Sequence, residues 1–461
     1  MERMSPLDSW FLHVEDDADH MHIGSVGVFE GPPPPWASLR DAIGAKLDFI
    51  PRYRQRIQRV PLRLARPVWV DDQHFQLDYH VRHTALPSPG GVEQLHLLVG
   101  RVMSQQLDRN RPLWETWFVE GLEGDRWAML SKVHHCVVDG IAGTDLLALI
   151  LEEEPDALPA EPSRWQAAPA PARRTLVRDA LGDLVTQPVG VASGAVGAVR
   201  QPGHLVAQLA AAARGAAELA GILQPMPPSS LVGPIGPHRR YASAHASLGD
   251  VKTIRKALGG TVNDVILAAV TNGYREVLLG RGELHDGAEV RSMIPVSLRS
   301  EDQRGEVNNR VTALFASLPV TIADPVERLV AVRAEMDALK GSGEAVAVAT
   351  MVGATGMAPA MVVGLTLRSV TELIQRRGQR FVTTVTTNVP GPQQPRYLLG
   401  RRLLTASPYV PIGEGFRTGV AIFSYDGKLA FGVTADLDSI PDAEVLAAGI
   451  EKGVTELLER V

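Results

Sequence analysis

Lys132-Val133-His134-His135-Cys136-Val137-Val138-Asp139-Gly140 is the stretch on which the reading of this chain turns. The pattern HHxxxDG fixes four positions. In 461 residues with 13 His, 26 Asp and 43 Gly, chance supplies it roughly 0.002 times, so the string is a signal. An apolar run, Trp127–Val133 (WAMLSKV), leads into it. Apolar residues at 141, 146, 147, 150 and 151 predict a helix over Asp139–Glu153 after it. A motif at a strand end, before a helix, presents side chains to a crevice.

Residue type then sets the chemistry. Histidine titrates near neutral pH and can take a proton from a hydroxyl. On a strand His134 and His135 face opposite ways, so one can meet a substrate while the other is turned inward. Asp139 can cap the helix that starts there or pair with an arginine elsewhere. Gly140 leaves room beside the base. Cys136, the single cysteine, diverges from His135 and is expected to be packing, and no disulfide is possible. The other histidines are scattered, so no three-ligand metal site is expected.

Around the motif the chain reads as two unlike halves. All seven Trp lie at or before Trp165. In the first half, strands are expected at Ile23–Phe29, Val68–Val70, Phe75–Val81, Trp114–Glu120 and Arg126–Val133, with helices at Leu39–Leu47 and Val92–Gln106. A Pro/Ala-rich stretch, Glu154–Arg173, reads as an extended crossover, followed by an Ala/Gly/Val-rich helical block and more prolines to Pro237. In the second half Thr261 caps a helix to about Leu279. Strands follow at Val290–Pro295, Val311–Val320, Phe381–Thr386, Gly419–Tyr425 and Lys428–Ala435, and a helix at Asp442–Arg460. This divides the chain into residues 1–153, 154–237 and 238–461. Mixed sheets covered by helices make it an α/β protein.

Length favours more than one packed unit, and 45% apolar with 21% charged residues excludes wholesale disorder. A net charge of −6 argues against nucleic acid as a partner. MERMSPLDSW has no signal-peptide pattern, which with the lone cysteine suits a cytoplasmic protein. Ala345–Leu367 carries no charge over 23 residues, but it is built from Ala, Gly, Thr and Met with Pro359 inside, and reads as a buried or interfacial broken helix.

HHxxxDG in this setting resembles the CoA-dependent acyltransferase superfamily, which includes chloramphenicol acetyltransferases and condensation domains. Ser5-Pro6-Leu7-Asp8, Met21-His22-Ile23-Gly24, Phe75–Val81, Arg111-Pro112-Leu113-Trp114-Glu115, Val262-Asn263-Asp264-Val265, Ile294–Arg299 and Asn388-Val389-Pro390-Gly391-Pro392 are similar to the bacterial wax ester synthase/diacylglycerol acyltransferase family, in order from about residue 4 to 455. Thr387 stands where that family has Ser before the Asn, and the plant signature DFGWG is absent.

The resemblance implies a two-subdomain chloramphenicol acetyltransferase-like fold with a tunnel between the halves and His135 at its midpoint. It implies acyl transfer from acyl-CoA, a substrate rather than a cofactor, to diacylglycerol or a long-chain alcohol. His135 would be the base and Asn263 an oxyanion donor. His134, Asp139, Gly140, Asp264 and Arg299 would support the site, with Arg299 pairing Asp139. Pro112, Leu113, Trp114, Asn388, Pro390 and Gly391 would lie along the substrate path. By composition alone, Trp114 is a core anchor, Asn388–Pro392 is a turn, and Asp264 is a helix-start residue. Rival readings are a carrier-protein-dependent condensation enzyme, a non-catalytic lipid-binding homologue and a small-alcohol O-acetyltransferase. Arg52, Arg54, Arg56, Arg59, Arg63 and Arg66 form a basic run that could face solvent, CoA phosphates or anionic headgroups. Lipid substrates without a convincing span suggest docking at a membrane or lipid droplet.

Overall fold

Unbroken burial from Trp127 to His134 marks a strand covered on both faces. The computed structural model describes residues 2–137, 146–157, 163–182, 226–297, 311–342, 381–413 and 415–461. The first half contributes β1 (His22–Glu30), β2 (Val81–Ala85), β3 (Trp114–Leu122) and β4 (Arg126–His134). The second contributes β5 (Arg239–Ser247), β6 (Val290–Ser297), β7 (Val311–Leu318), β8 (Thr384–Pro390), β9 (Tyr397–Leu398), β10 (Arg401–Tyr409), β11 (Thr418–Tyr425) and β12 (Lys428–Asp436). They form two six-stranded sheets, ordered β9-β10-β1-β4-β3-β2 and β7-β6-β8-β11-β12-β5. Both are mixed: β2 runs parallel to β3, and β8 parallel to β6 and β11.

Among the helices are α1 (Pro6–Val14), α2 (Trp36–Lys46), α3 (Val92–Met103), α4 (Leu248–Leu258), α5 (Val262–Gly280), α6 (Pro325–Ser342) and α7 (Ala443–Leu458). Helix α5 crosses α7 so closely that Asn272 Nδ2 donates to the Gly449 carbonyl at 2.8 Å. These two helices cover the second sheet, and the second core forms between them and it. The first core gathers the large aromatics, with Phe29 stacked on Trp127 at 4.2 Å. Trp69, Trp114 and Trp127 are buried in it and Trp36 packs against it.

The second half lends a strand to the first. β10 pairs antiparallel with β1, from Leu403↔Phe29 to Tyr409↔Gly24. Where it passes β12, Gly432 lies so near that an added Cβ would sit 1.7 Å from the Pro408 carbonyl oxygen. Tyr241 of β5 donates to that same oxygen at 2.9 Å. From the other side α3 reaches the second sheet: His96 Nε2 lies 2.9 Å from Ser243 Oγ, and Arg239 N–H donates to Ser104 Oγ at 2.8 Å.

Neither β5 nor β10 is among the strands expected from sequence. RRLLTASPY lacks clean alternation and contains a proline, and its pairing is set by what lies beside it. Phe75–Val81 is not a strand: Leu77–His80 forms one helical turn and β2 begins at Val81. Asn388–Pro390 is not a turn but the end of β8, registered against Ile422–Ser424 of β11; Pro390 is tolerated as the strand's last residue.

The described part of the Pro-rich crossover is docked. Ser163 Oγ donates to Asp48 at 2.6 Å, Ala168 N–H donates to Asp71 at 3.0 Å, and the helix at 173–182 lays Leu176 and Ala180 on Val60, Val68 and Val70. The basic run is not one solvated face either. Arg52 bonds Glu2 at 2.5 Å and lies over Trp69. Arg54 is buried, bonds Asp48 at 2.6 Å and lies over Trp165. Arg66 donates to the Met4 carbonyl at 2.8 Å. These three hold the chain's first residues and the crossover in place, and Arg59 is exposed. Asp139, Gly140, Arg299 and Ala345–Leu367 lie outside the described residues. Among the described residues no helix is long and apolar enough to cross a membrane.

Candidate active site

β4 delivers the histidine pair and releases it at once, because a short 3₁₀ turn, His135–Val137, follows. His134 is the last paired residue, opposite His22 of β1, and its N–H donates to the Leu113 carbonyl at 3.0 Å. His135 N–H donates to the Met21 carbonyl at 2.8 Å. The two side chains part company there.

His134 is fully buried. Cys136 N–H donates to its Nδ1 at 3.1 Å, which leaves the ring proton on Nε2. Nε2 lies 3.5 Å from Glu15 Oε2, and His22 Nε2 lies 3.4 Å from Glu15 Oε1. Arg109 closes the cluster, its Nε donating to Glu15 at 2.9 Å. Burial would raise the Glu15 carboxyl, but the His134 and His22 imidazoles outweigh it and hold the carboxyl well below its usual range. Lys132, two residues back on the same face, is also enclosed. It donates to the Val102 carbonyl at 2.9 Å at the end of α3, and burial pulls it down to about 8.

His135 is partly exposed. Its Nδ1 is shut off from solvent and has no hydrogen-bond partner among the described residues. Nε2 is then the ring nitrogen left to meet a substrate. Burial lowers the ring to about 4, so at neutral pH the imidazole is neutral and has a lone pair free to accept a proton. Cys136 is buried, and burial pushes its thiol up, which makes it packing rather than a nucleophile.

Leu113 and Trp114 are sealed in the first core. Trp114 Nε1 donates to the Tyr53 carbonyl at 2.7 Å and its ring stacks on His80 at 4.7 Å. Their place is beside the base of His134, not on a surface open to substrate; Pro112 precedes them in the same segment. Asp264 completes a capping box with Thr261: its N–H donates to Thr261 Oγ1 at 3.2 Å and its Oδ2 accepts from Thr261 N–H at 2.7 Å. Asn263, half-buried in the first turn of α5, accepts from exposed Asn388 Nδ2 at 3.3 Å. The structure thus joins two residues that lie 125 apart in the chain. Gly391 packs flat on β11, its N–H donating to Ser424 Oγ at 3.2 Å. Glu15 and Arg109 were not anticipated. Neither belongs to a motif, and only folding brings them to His134.

A cavity of about 180 Å³ lies between the halves, lined by Val26, Leu95, His96, Tyr241, Ser243 and Leu404 among others. His135 is not among its lining residues, so this cavity is not the expected tunnel around the base.

Among the described residues burial lowers six histidines: His22 to about 3, His80, His96 and His135 to about 4, and His20 and His245 in the same direction. Unfolded histidine titrates near 6.5, so below that pH the unfolded chain binds protons that the native state refuses. Stability is therefore expected to fall as pH drops from about 6.5 toward 4. The fully enclosed His22 and His80 should remove roughly 2 kcal/mol each by pH 5. Glu15 acts in the same direction lower down, its contribution being lost as pH falls below 4.5. Melting temperatures between pH 7 and 4.5 check this, and a flat profile refutes it.

Two six-stranded mixed sheets joined by an exchanged strand define a known architecture. The first condensation domain of the calcium-dependent antibiotic synthetase shares it at a TM-score of 0.58 and 14% identity, over 99% of this chain and 95% of that one. The wax ester synthase/diacylglycerol acyltransferase from Marinobacter aquaeolei VT8 is similar at a TM-score of 0.71 and 25% identity, over 100% of this chain and 99% of that one. The fold is thus the two-domain α/β fold of condensation domains and these acyltransferases. Residues 4–266 match the wax ester synthase/diacylglycerol acyltransferase catalytic domain and residues 307–458 the WS/DGAT C-terminal domain, so the chain belongs to the wax ester synthase/diacylglycerol acyltransferase family. A probable diacylglycerol O-acyltransferase of Mycobacterium tuberculosis H37Rv, tgs1, is 38% identical over 467 residues, covering 99% of this chain and 96% of the relative. Another, tgs2, is 31% identical over 470 residues and the full length of both.

Proposed function

We propose that this acyltransferase moves a fatty acyl group from acyl-CoA to the hydroxyl of diacylglycerol or a long-chain alcohol, with His135 as general base. The observation that carries this reading is the state of His135: neutral, partly open, and with Nδ1 sealed from solvent so that Nε2 is left to meet a substrate. His135 Nε2 takes the alcohol proton as the alcohol oxygen attacks the thioester carbonyl. The tetrahedral intermediate collapses with cleavage of the C–S bond, and His135 returns the proton to the sulfur, so CoA leaves as the free thiol and the neutral base is restored. No acyl-enzyme is required, because the nearby cysteine is buried and its thiol stays protonated. CoA is a substrate, and the scheme calls on no cofactor or metal.

The Asn263 amide is proposed to donate to the oxyanion. Its carbonyl is engaged by Asn388, which orients the side chain and leaves the NH₂ for another acceptor. Asn263→Ala is then expected to lower kcat by about 10²-fold with little change in KM for acyl-CoA. A rise in KM alone would make the residue a binding group. The reaction is tested by a donor–acceptor matrix: palmitoyl-CoA or palmitoyl-acyl carrier protein against dioleoylglycerol and hexadecanol. Triacylglycerol from the CoA donor is the expected product, and turnover from the carrier alone would overturn the donor assignment. The insolubility of the products places the enzyme at a membrane or lipid-droplet surface, with exposed Leu62 and Arg59 as candidate contacts. Sedimentation with anionic liposomes across a salt series reads that docking.

A further inference from the structure

The histidine pair is gripped by an element that the motif does not contain. Helix α1 starts cleanly: Pro6 opens it and Ser5 Oγ accepts the Asp8 N–H at 3.1 Å. It ends at Glu15, whose N–H donates to the Phe11 carbonyl. Between them α1 packs on the His135–Val137 turn, and the Phe11 ring lies against the His135 imidazole, centroids 4.0 Å apart and planes 24° apart. Four residues on, and so at the next turn of the same side, Glu15 reaches His134 and His22 and is held by Arg109. One short helix thus holds both members of the pair, one by an aromatic face and the other by a carboxylate.

We propose that Phe11 is a positioning residue for acyl transfer: its ring holds the His135 imidazole in one orientation and keeps water from that face, while Glu15 anchors the helix that carries it. The proposal rests on His135 being the base. A flat ring stacked on the imidazole blocks rotation about its side-chain bonds, and a hydrogen-bonding nitrogen must be aimed to within a fraction of an ångström to take a proton in the transition state. The same cover accounts for a neutral ring, since water on that face would stabilise the imidazolium. The titratable and charged groups around this corner are Asp8 on α1, Glu15 at its end, Arg109 from the segment before β3, and His134 beside it. Asp8 accepts from Ser5 Oγ, Glu15 accepts from Arg109, and His134 is turned to Glu15.

The test uses the full chain labelled with ¹⁵N-histidine, the His135 signal being assigned by its loss in His135→Ala. Phe11→Leu removes the flat ring with a smaller side chain and opens part of that face to water, Phe11→Met is the alternative if that variant does not fold, and Phe11→Tyr retains the ring. In Phe11→Leu the His135 titration midpoint should move up toward 6.5, and kcat should fall by roughly 10–100-fold with KM for both substrates nearly unchanged. Phe11→Tyr should restore both. An unmoved His135 titration overturns the proposal, as does a loss confined to KM, which would place Phe11 against substrate. If the titration moves while neither Phe11→Leu nor His135→Ala changes turnover, His135 is not the base, and it is that reading which has failed.

Discussion

Turnover of a folded His135→Ala variant is expected to fall by about 10²–10⁴-fold, the effect of removing a general base. The loss should lie in kcat, because the imidazole takes its proton in the transition state and not on substrate binding. Stability should change little: the ring is partly exposed, stacks on one partner, and anchors the fold through its backbone N–H, which alanine retains. His134→Ala should behave in the opposite way. That ring is fully buried, accepts from Cys136 N–H and faces Glu15, so its removal leaves a carboxylate and a backbone donor short of a partner. Its melting temperature should drop further than that of His135→Ala. Because burial holds His135 near 4, the acid limb of kcat/KM is expected below the range of an ordinary histidine. Near-normal turnover in His135→Ala would remove the mechanism.

Gly432→Ala is expected to be as damaging without touching the motif. The added carbon would lie 1.7 Å from the Pro408 carbonyl oxygen and 2.9 Å from the Tyr241 hydroxyl. The first obstacle is backbone within β10, registered on β1, and cannot turn aside as a side chain could. Relief requires β10 to move off β12 and breaks the Tyr241–Pro408 hydrogen bond. Overpacking of this kind costs roughly 3 kcal/mol or more. Since the strand that moves belongs to one sheet and is supplied by the other half, the variant should lose stability and activity together. A melting temperature and kcat/KM both unchanged would mean that β10 and β12 do not pack as described.

What the sequence carries is strongest where physics is local. The HHxxxDG string, the apolar strand before it and the Thr261 cap with Asp264 three residues on all act within one element. The core assignment of Cys136 is equally local, since a residue beside a strand end inherits the strand's burial. Such features depend on residue type and spacing, and it is their resemblance to a known family that implies an α/β acyltransferase. The basic run shows the limit of that reasoning. Arg52, Arg54 and Arg66 read as a charged surface because composition cannot register that Glu2, Asp48 and the Met4 carbonyl arrive to bind them.

Only the tertiary structure decided which distant residues meet. β10 completes the first sheet from the second half, because the hydrogen-bonding edge of β1 accepts any strand of suitable register and nothing in RRLLTASPY announces a partner. Glu15 and Arg109 stand 119 and 25 residues from His134, and Asn388 stands 125 from Asn263; such pairs have no sequence period to betray them. The sequence by itself determined which imidazoles are available for chemistry. Packing determined which one is sealed against Glu15 and which one lies under Phe11, because burial and orientation depend on every neighbour the fold brings in.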